Sequence, residues 1–154
     1  MQTFSPMPWM REEQDRRQQL WRDLWDGRPL ERMPLDIRVA LPAAHPVRAQ
    51  FGDGDCQLAV ALDNVRATWQ LGAKTDCVPA MRPDVGCSCL ASAVGAEYYW
   101  GSDPEQTPGI KKKILSLDRL AEQVCTLPVP DPGRDGWLPE GLRRIQRFAE
   151  AGEG

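Results

Sequence analysis

The sequence predicts an α/β fold and reads as the front part of a TIM-type (β/α)8 barrel with extra N-terminal helices. Three observations carry this. In residues 33–39, Leu35, Ile37 and Val39 alternate with Asp36 and Arg38, the period of two of a half-buried strand. In residues 56–71, Leu58, Leu62, Val65 and Trp69 recur on one face of a helix that Gly72 closes. Residues 74–101 then run strand, loop, short helix, strand, a unit that usually belongs to a parallel sheet. A final helix with no strand after it leaves such a sheet with an open edge, and a closed barrel takes about 250 residues. The expectation is therefore a truncated barrel, and the other arrangement is a small self-contained α/β domain.

The elements follow in order. Residues 1–10 read as a loose N-terminal arm, and residues 11–154 as the barrel portion. Residues 11–26 form a helix, with Leu20, Trp21, Leu24 and Trp25 on its core face. Glu12 and Glu13 stand in its first turn, where the helix dipole favours them, and Gly27 ends it. A loop over 41–46 follows the first strand. The turn Gly52-Asp53-Gly54-Asp55 supplies an N-cap aspartate for the next helix and is too short for a calcium loop.

In the central unit, Cys77 to Met81 is a strand and Arg82 to Gly86 is a polar turn. Residues 87–94 are a small-residue helix stopped by Gly95, and residues 97–100 are rich in β-formers. Ligands in parallel sheets sit beyond the C-terminal strand ends, which singles out Arg82 and Asp84. Residues 101–109 read as loop, and 117–124 as a helix capped by Ser116. Residues 126–139 form a Pro-rich connector. Pro139 opens a last helix with Leu142, Ile145, Phe148 and Ala149 on its apolar face.

Composition narrows the function classes. The chain has 154 residues, 42% of them hydrophobic, enough for one core. A net charge of −3, with no basic run beyond Lys111-Lys112-Lys113, argues against nucleic-acid and membrane partners. The start lacks the basic and apolar regions of a secretory signal, and no apolar run approaches about 18 residues. A soluble, cytoplasmic protein is expected. The five cysteines, Cys56, Cys77, Cys87, Cys89 and Cys125, then read as free thiols. Cys87-x-Cys89 lacks a second metal-binding pair, and His45 is the only histidine.

Several stretches carry a family likeness. They are W-x3-W-x-G-R-P-x-E-R-M-P over 21–34, L-G-A-K-T-D-x-V-P-A-M-R-P-D-V-G over 71–86 and A-S-A-V-G-A-E over 91–97. T-P-G over 107–109 and L-P-x-P-D-P-x-x-D-G-x-L-P over 127–139 complete the series. In order and spacing the chain resembles the uroporphyrinogen decarboxylase-like superfamily, which includes corrinoid- and cobalamin-dependent methyltransferases.

The resemblance implies a TIM-type barrel about twice this long, with this chain its N-terminal portion and inactive alone. It implies that Asp84 corresponds to the catalytic aspartate near the end of the second strand. Arg38 and Arg82 would then bind substrate. The family's arginine motif of true decarboxylases, R-Q-A-G-R-Y, is absent; Arg38-Val39-Ala40-Leu41-Pro42-Ala43 stands there instead. A substrate with eight carboxylates needs several fixed cations. The likeness therefore favours a methyltransferase over a decarboxylase of porphyrin (heme) biosynthesis.

The methyltransferase branch implies zinc, held outside this chain, that activates a thiol to attack a methyl-corrinoid. The partners implied are a small-molecule or tetrapyrrole substrate and a corrinoid protein. A non-catalytic interaction module is the alternative of another class.

Overall fold

Helices carry most of the described backbone, because the apolar residues recur mainly at helical spacing. The computed structural model describes residues 4–38, 41–111 and 117–153. They fall into two compact units. The first gathers Met1–Ala44, Leu58–Arg82 and Ala149–Gly154; the second gathers His45–Gln57 and Pro83–Phe148.

In the first unit, α1 spans Pro8–Trp25. It starts three residues before the expected helix and takes up the end of the expected loose arm. Pro8 explains this: its fixed φ suits the first helical turn, where its missing N–H costs nothing. The expected core face is also corrected. Trp25 is 80% exposed, while Arg17 is wholly buried. The inward stripe runs through Glu13, Arg17, Leu20, Trp21 and Leu24. It is turned that way because Arg17 donates to two backbone carbonyls, Cys77 O at 2.8 Å and Gly72 O at 2.9 Å.

The helix expected over 56–71 is present as α3, Gly54–Gln70, after the short α2, Val47–Gly52. Asp53 caps α3 as expected, with Oδ1 accepting from the Asp55 N–H at 2.8 Å. Leu58, Leu62, Val65 and Trp69 are all buried. After one 3-10 turn at Gly72–Lys74 the chain is extended. Neither of the first two expected strands forms a ladder; Val39 lies outside the described residues. Pro34 and Pro79 have no N–H to give, and the Thr75 and Asp76 side chains take the hydrogen bonds a ladder would use.

In the second unit, α4 is Cys89–Ala93. β1, Tyr98–Tyr99, pairs antiparallel with β2, Gly109–Ile110, with Tyr98 opposite Ile110 and Tyr99 opposite Gly109. This corrects the parallel sheet expected there and the loop expected at 109. A short loop joins antiparallel strands, whereas parallel ones need a crossover of a dozen or more residues. Among the described residues this is the one ladder. The expected cap Ser116, and Lys112 and Lys113, lie outside the described residues. A 3-10 turn at Leu117–Arg119 leads into α5, Leu120–Thr126, and α6 spans Leu138–Glu153.

The core of the second unit is aromatic. Phe51 meets Tyr98, Trp100 and Trp137 with ring centroids 5.3, 5.2 and 4.8 Å apart. The Tyr98 hydroxyl donates to Val85 O at 3.0 Å, and burial pushes its pKa up to about 12. Gly136 has φ +58°, and a Cβ there would meet the Ala93 amide at 2.5 Å, so only glycine fits. The face expected for α6 is corrected as well: Phe148 is buried, but Leu142 and Ile145 are 51% and 56% exposed. Arg144 takes the inward position instead. It donates to Phe51 O at 2.5 Å, Gln50 O at 3.1 Å and Asp84 O at 3.5 Å.

Candidate functional site

Two extended segments of the first unit, 33–38 and 75–81, lie side by side because polar side chains tie them together. Asp76 is the main tie. Its carboxylate receives both Arg32 terminal nitrogens, at 2.5 and 2.6 Å, and the Leu35 N–H at 2.9 Å. Its own N–H donates to Leu35 O at 2.7 Å, and its carbonyl accepts from the Trp21 indole at 2.9 Å. Asp76 is almost fully buried. The Arg32 fork, with the Leu35 N–H and Arg16, holds its pKa down at about 2. Thr75 adds a second tie: its hydroxyl donates to Ile37 O and accepts from the Ile37 N–H, both at 3.0 Å.

This clamp sets Arg38 at the rim of a cavity of about 420 Å³. Val78, Pro79 and Ala80 line it from one extended segment, and Val60, Asn64 and Thr68 from α3. Cys77 lines it too. Burial, and then the Asp36 carboxylate, push the Cys77 thiol up, so it stays protonated near neutrality and is a poor nucleophile. Arg38 pairs with Asp36 through Nε at 3.2 Å and Nη2 at 2.8 Å, which lowers the Asp36 pKa. The lining offers a cation, an amide, a hydroxyl and an apolar wall. That set of groups suits an anion with an apolar body.

The three residues singled out from the sequence part company. Arg38 stands at the cavity. Arg82 is exposed and is not among the residues lining it. Asp84 belongs to the second unit, where it is exposed and shapes a turn by accepting the Gly86 N–H on Oδ1 at 2.7 Å. Its backbone is gripped by Gln57, which donates to Asp84 O at 2.7 Å and accepts from Asp84 N at 3.0 Å. Among the described residues no group of three His, Cys, Asp or Glu side chains converges on a metal position. All five cysteines are free thiols.

Sequence reading passed over Asn64, Thr68, Asp36 and Cys77. A signal existed for the first two: Val60, Asn64 and Thr68 recur every four residues, a second stripe beside the apolar one on α3. Asp36 and Arg38 share a face by strand alternation. Nothing local marks Cys77, whose role comes from its neighbours. Among the described residues, no helix is long and apolar enough to cross a membrane. Comparison with family models, curated proteins and solved structures returns no match.

Proposed function

We propose that this chain is the N-terminal portion of a uroporphyrinogen decarboxylase-like barrel enzyme, of the corrinoid-linked methyltransferase kind. On this reading Arg38 holds an anionic group of the substrate. The observation that carries it is that the likeness-bearing residues bind one another. Trp21 and Arg32, from the early W-x3-W-x-G-R-P-x-E-R-M-P stretch, both grip Asp76 of the later K-T-D stretch. Two separate motifs that serve one clamp have a physical reason to occur together. The clamp brings the first two expected strands side by side and leaves Arg38 beside a cavity.

Zinc and a corrinoid would be held by parts of the barrel outside this chain. The likeness assigns no ligand role to His45, Cys87 or Cys89. The role of Asp84 rests on the likeness alone, and its observed work is the turn before Gly86.

The test is to read the coding frame past Gly154 and assay the longest product. About 200 further residues with one His and two Cys are expected, with corrinoid-dependent methyl transfer that drops tenfold or more in Arg38→Ala. A stop codon directly after Gly154 would overturn the reading. So would a complete barrel whose turnover ignores Arg38→Ala. An interaction module remains the second reading, favoured by the exposed Leu142 and Ile145 on one face of α6.

A further inference from the structure

We infer that the cavity beside Arg38 takes a small monoanion, a carboxylate on a short aliphatic body, and not a polyanionic macrocycle. This deepens the reading of Arg38 as an anion holder and rests on it. Three features carry the inference. The first is the free edge of the guanidinium. Asp36 occupies Nε and Nη2, and no carboxylate among the described residues takes Nη1. The Nη1–Nη2 edge is a second fork for a carboxylate, using the remaining N–H of Nη2, so a ligand can join Arg38 without expelling Asp36. The second is that, among the described residues, Arg38 is the one cation lining the cavity, enough for a single anionic group. The third is the wall behind it. Val60, Val65, Val78 and Pro79 are apolar, and about 420 Å³ is near the small end of ligand pockets. The exposed Asn64 side-chain amide lines the cavity and can serve the second carboxylate oxygen.

The probe is the series acetate, butyrate and hexanoate, offered to the 154-residue chain. The readout is iodoacetamide modification at each cysteine at about pH 9, which gives the slow Cys77 thiol more thiolate to react, resolved by peptide mass spectrometry. Cys77 lines the cavity, and the exposed Cys87 of the other unit serves as the internal reference. Butyrate and hexanoate are expected to slow Cys77 modification about fivefold or more at saturation and to leave Cys87 unchanged. Arg38→Gln should raise the concentration required about tenfold, the usual weight of a charge-assisted hydrogen bond. Val60→Phe, which fills the cavity and keeps the cation, should abolish protection by hexanoate before that by acetate. Butanol should not protect.

Protection by butanol equal to that by butyrate would overturn the inference, as would protection unchanged in Arg38→Gln, or none by any alkanoate. If a tetracarboxylate porphyrin protects Cys77 in an Arg38-dependent way while alkanoates fail, the small-anion inference falls and the enzyme reading above survives. A stop codon after Gly154 does the reverse.

Discussion

The two units solve one problem with the same short pattern and then diverge. Glu13-Gln14-Asp15-Arg16-Arg17 and Glu140-Gly141-Leu142-Arg143-Arg144 are both E-x-x-R-R on a helix. In each, the glutamate pairs with both arginines, at i+3 and i+4. The second arginine is buried in each and donates to backbone carbonyls distant in sequence, those of Gly72 and Cys77 in the first unit and those at the end of α2 in the second. What surrounds that arginine differs. In the first unit Arg17 lies over the Trp69 ring at 5.0 Å, and the Cys77 carbonyl that it holds directly follows the Asp76 clamp in sequence. In the second, Arg144 meets the carbonyls of Gln50, Phe51 and Asp84, and the rings of Phe51, Tyr98, Trp100 and Trp137 pack on one another. The first unit carries a cavity with a cation in its lining, and the second carries an aromatic core. A buried arginine is thus a way to finish backbone hydrogen bonding, and it does not by itself mark a site.

The largest expected effect comes from removing that arginine. Arg17→Met and Arg144→Met should each cost about 3 kcal/mol, because buried carbonyls lose charged donors and the glutamates lose a partner. Amide exchange should rise within residues 58–82 for Arg17→Met and within residues 83–137 for Arg144→Met. A loss of that size at one site and none at the other would break the parallel between the units.

The Asp76 clamp sharpens the contrast through pH. Its folded pKa, about 2, lies below the ordinary carboxylate value of 3.8. The unfolded chain therefore binds the proton first as pH falls. The stabilisation is fully present above about pH 5 and is lost as pH falls toward 2. Asp76→Asn should remove about 1–2 kcal/mol at pH 7, after discount for the half-exposed Arg32, and should flatten the acid limb of a stability–pH curve. An acid limb unchanged in Asp76→Asn would show that other carboxylates govern acid unfolding.

The smallest effect is expected at the outward apolar stripe of α6. Leu142→Ser and Ile145→Ser should shift stability by no more than about 0.5 kcal/mol, since both side chains are already half in water. A loss above about 1.5 kcal/mol in the isolated chain would mean that this face is covered by a second copy.

The α3 stripe was readable because four apolar residues at helical spacing leave one burial solution, and all four are buried. Trp25, Leu142 and Ile145 misled for one reason. Hydrophobic periodicity assumes that apolar residues choose the inward face, and in α1 and α6 a buried arginine shares that choice. At the site, Arg38 was readable from strand alternation, whereas Cys77 and Asp76 were not, because their surroundings come from residues about 40 or more positions away.

By itself the sequence determined the courses of α1, α3 and α6 to within a few residues, though not α2, and where α3 buries its stripe, since spacing, caps and prolines act within a few residues. Tertiary structure alone decided which face of α1 and α6 turns inward. It also decided that Tyr98–Tyr99 pairs antiparallel with Gly109–Ile110 and that Arg38, rather than Arg82, meets a cavity. Those outcomes depend on which distant carbonyls and carboxylates need a donor, and local spacing carries no record of that.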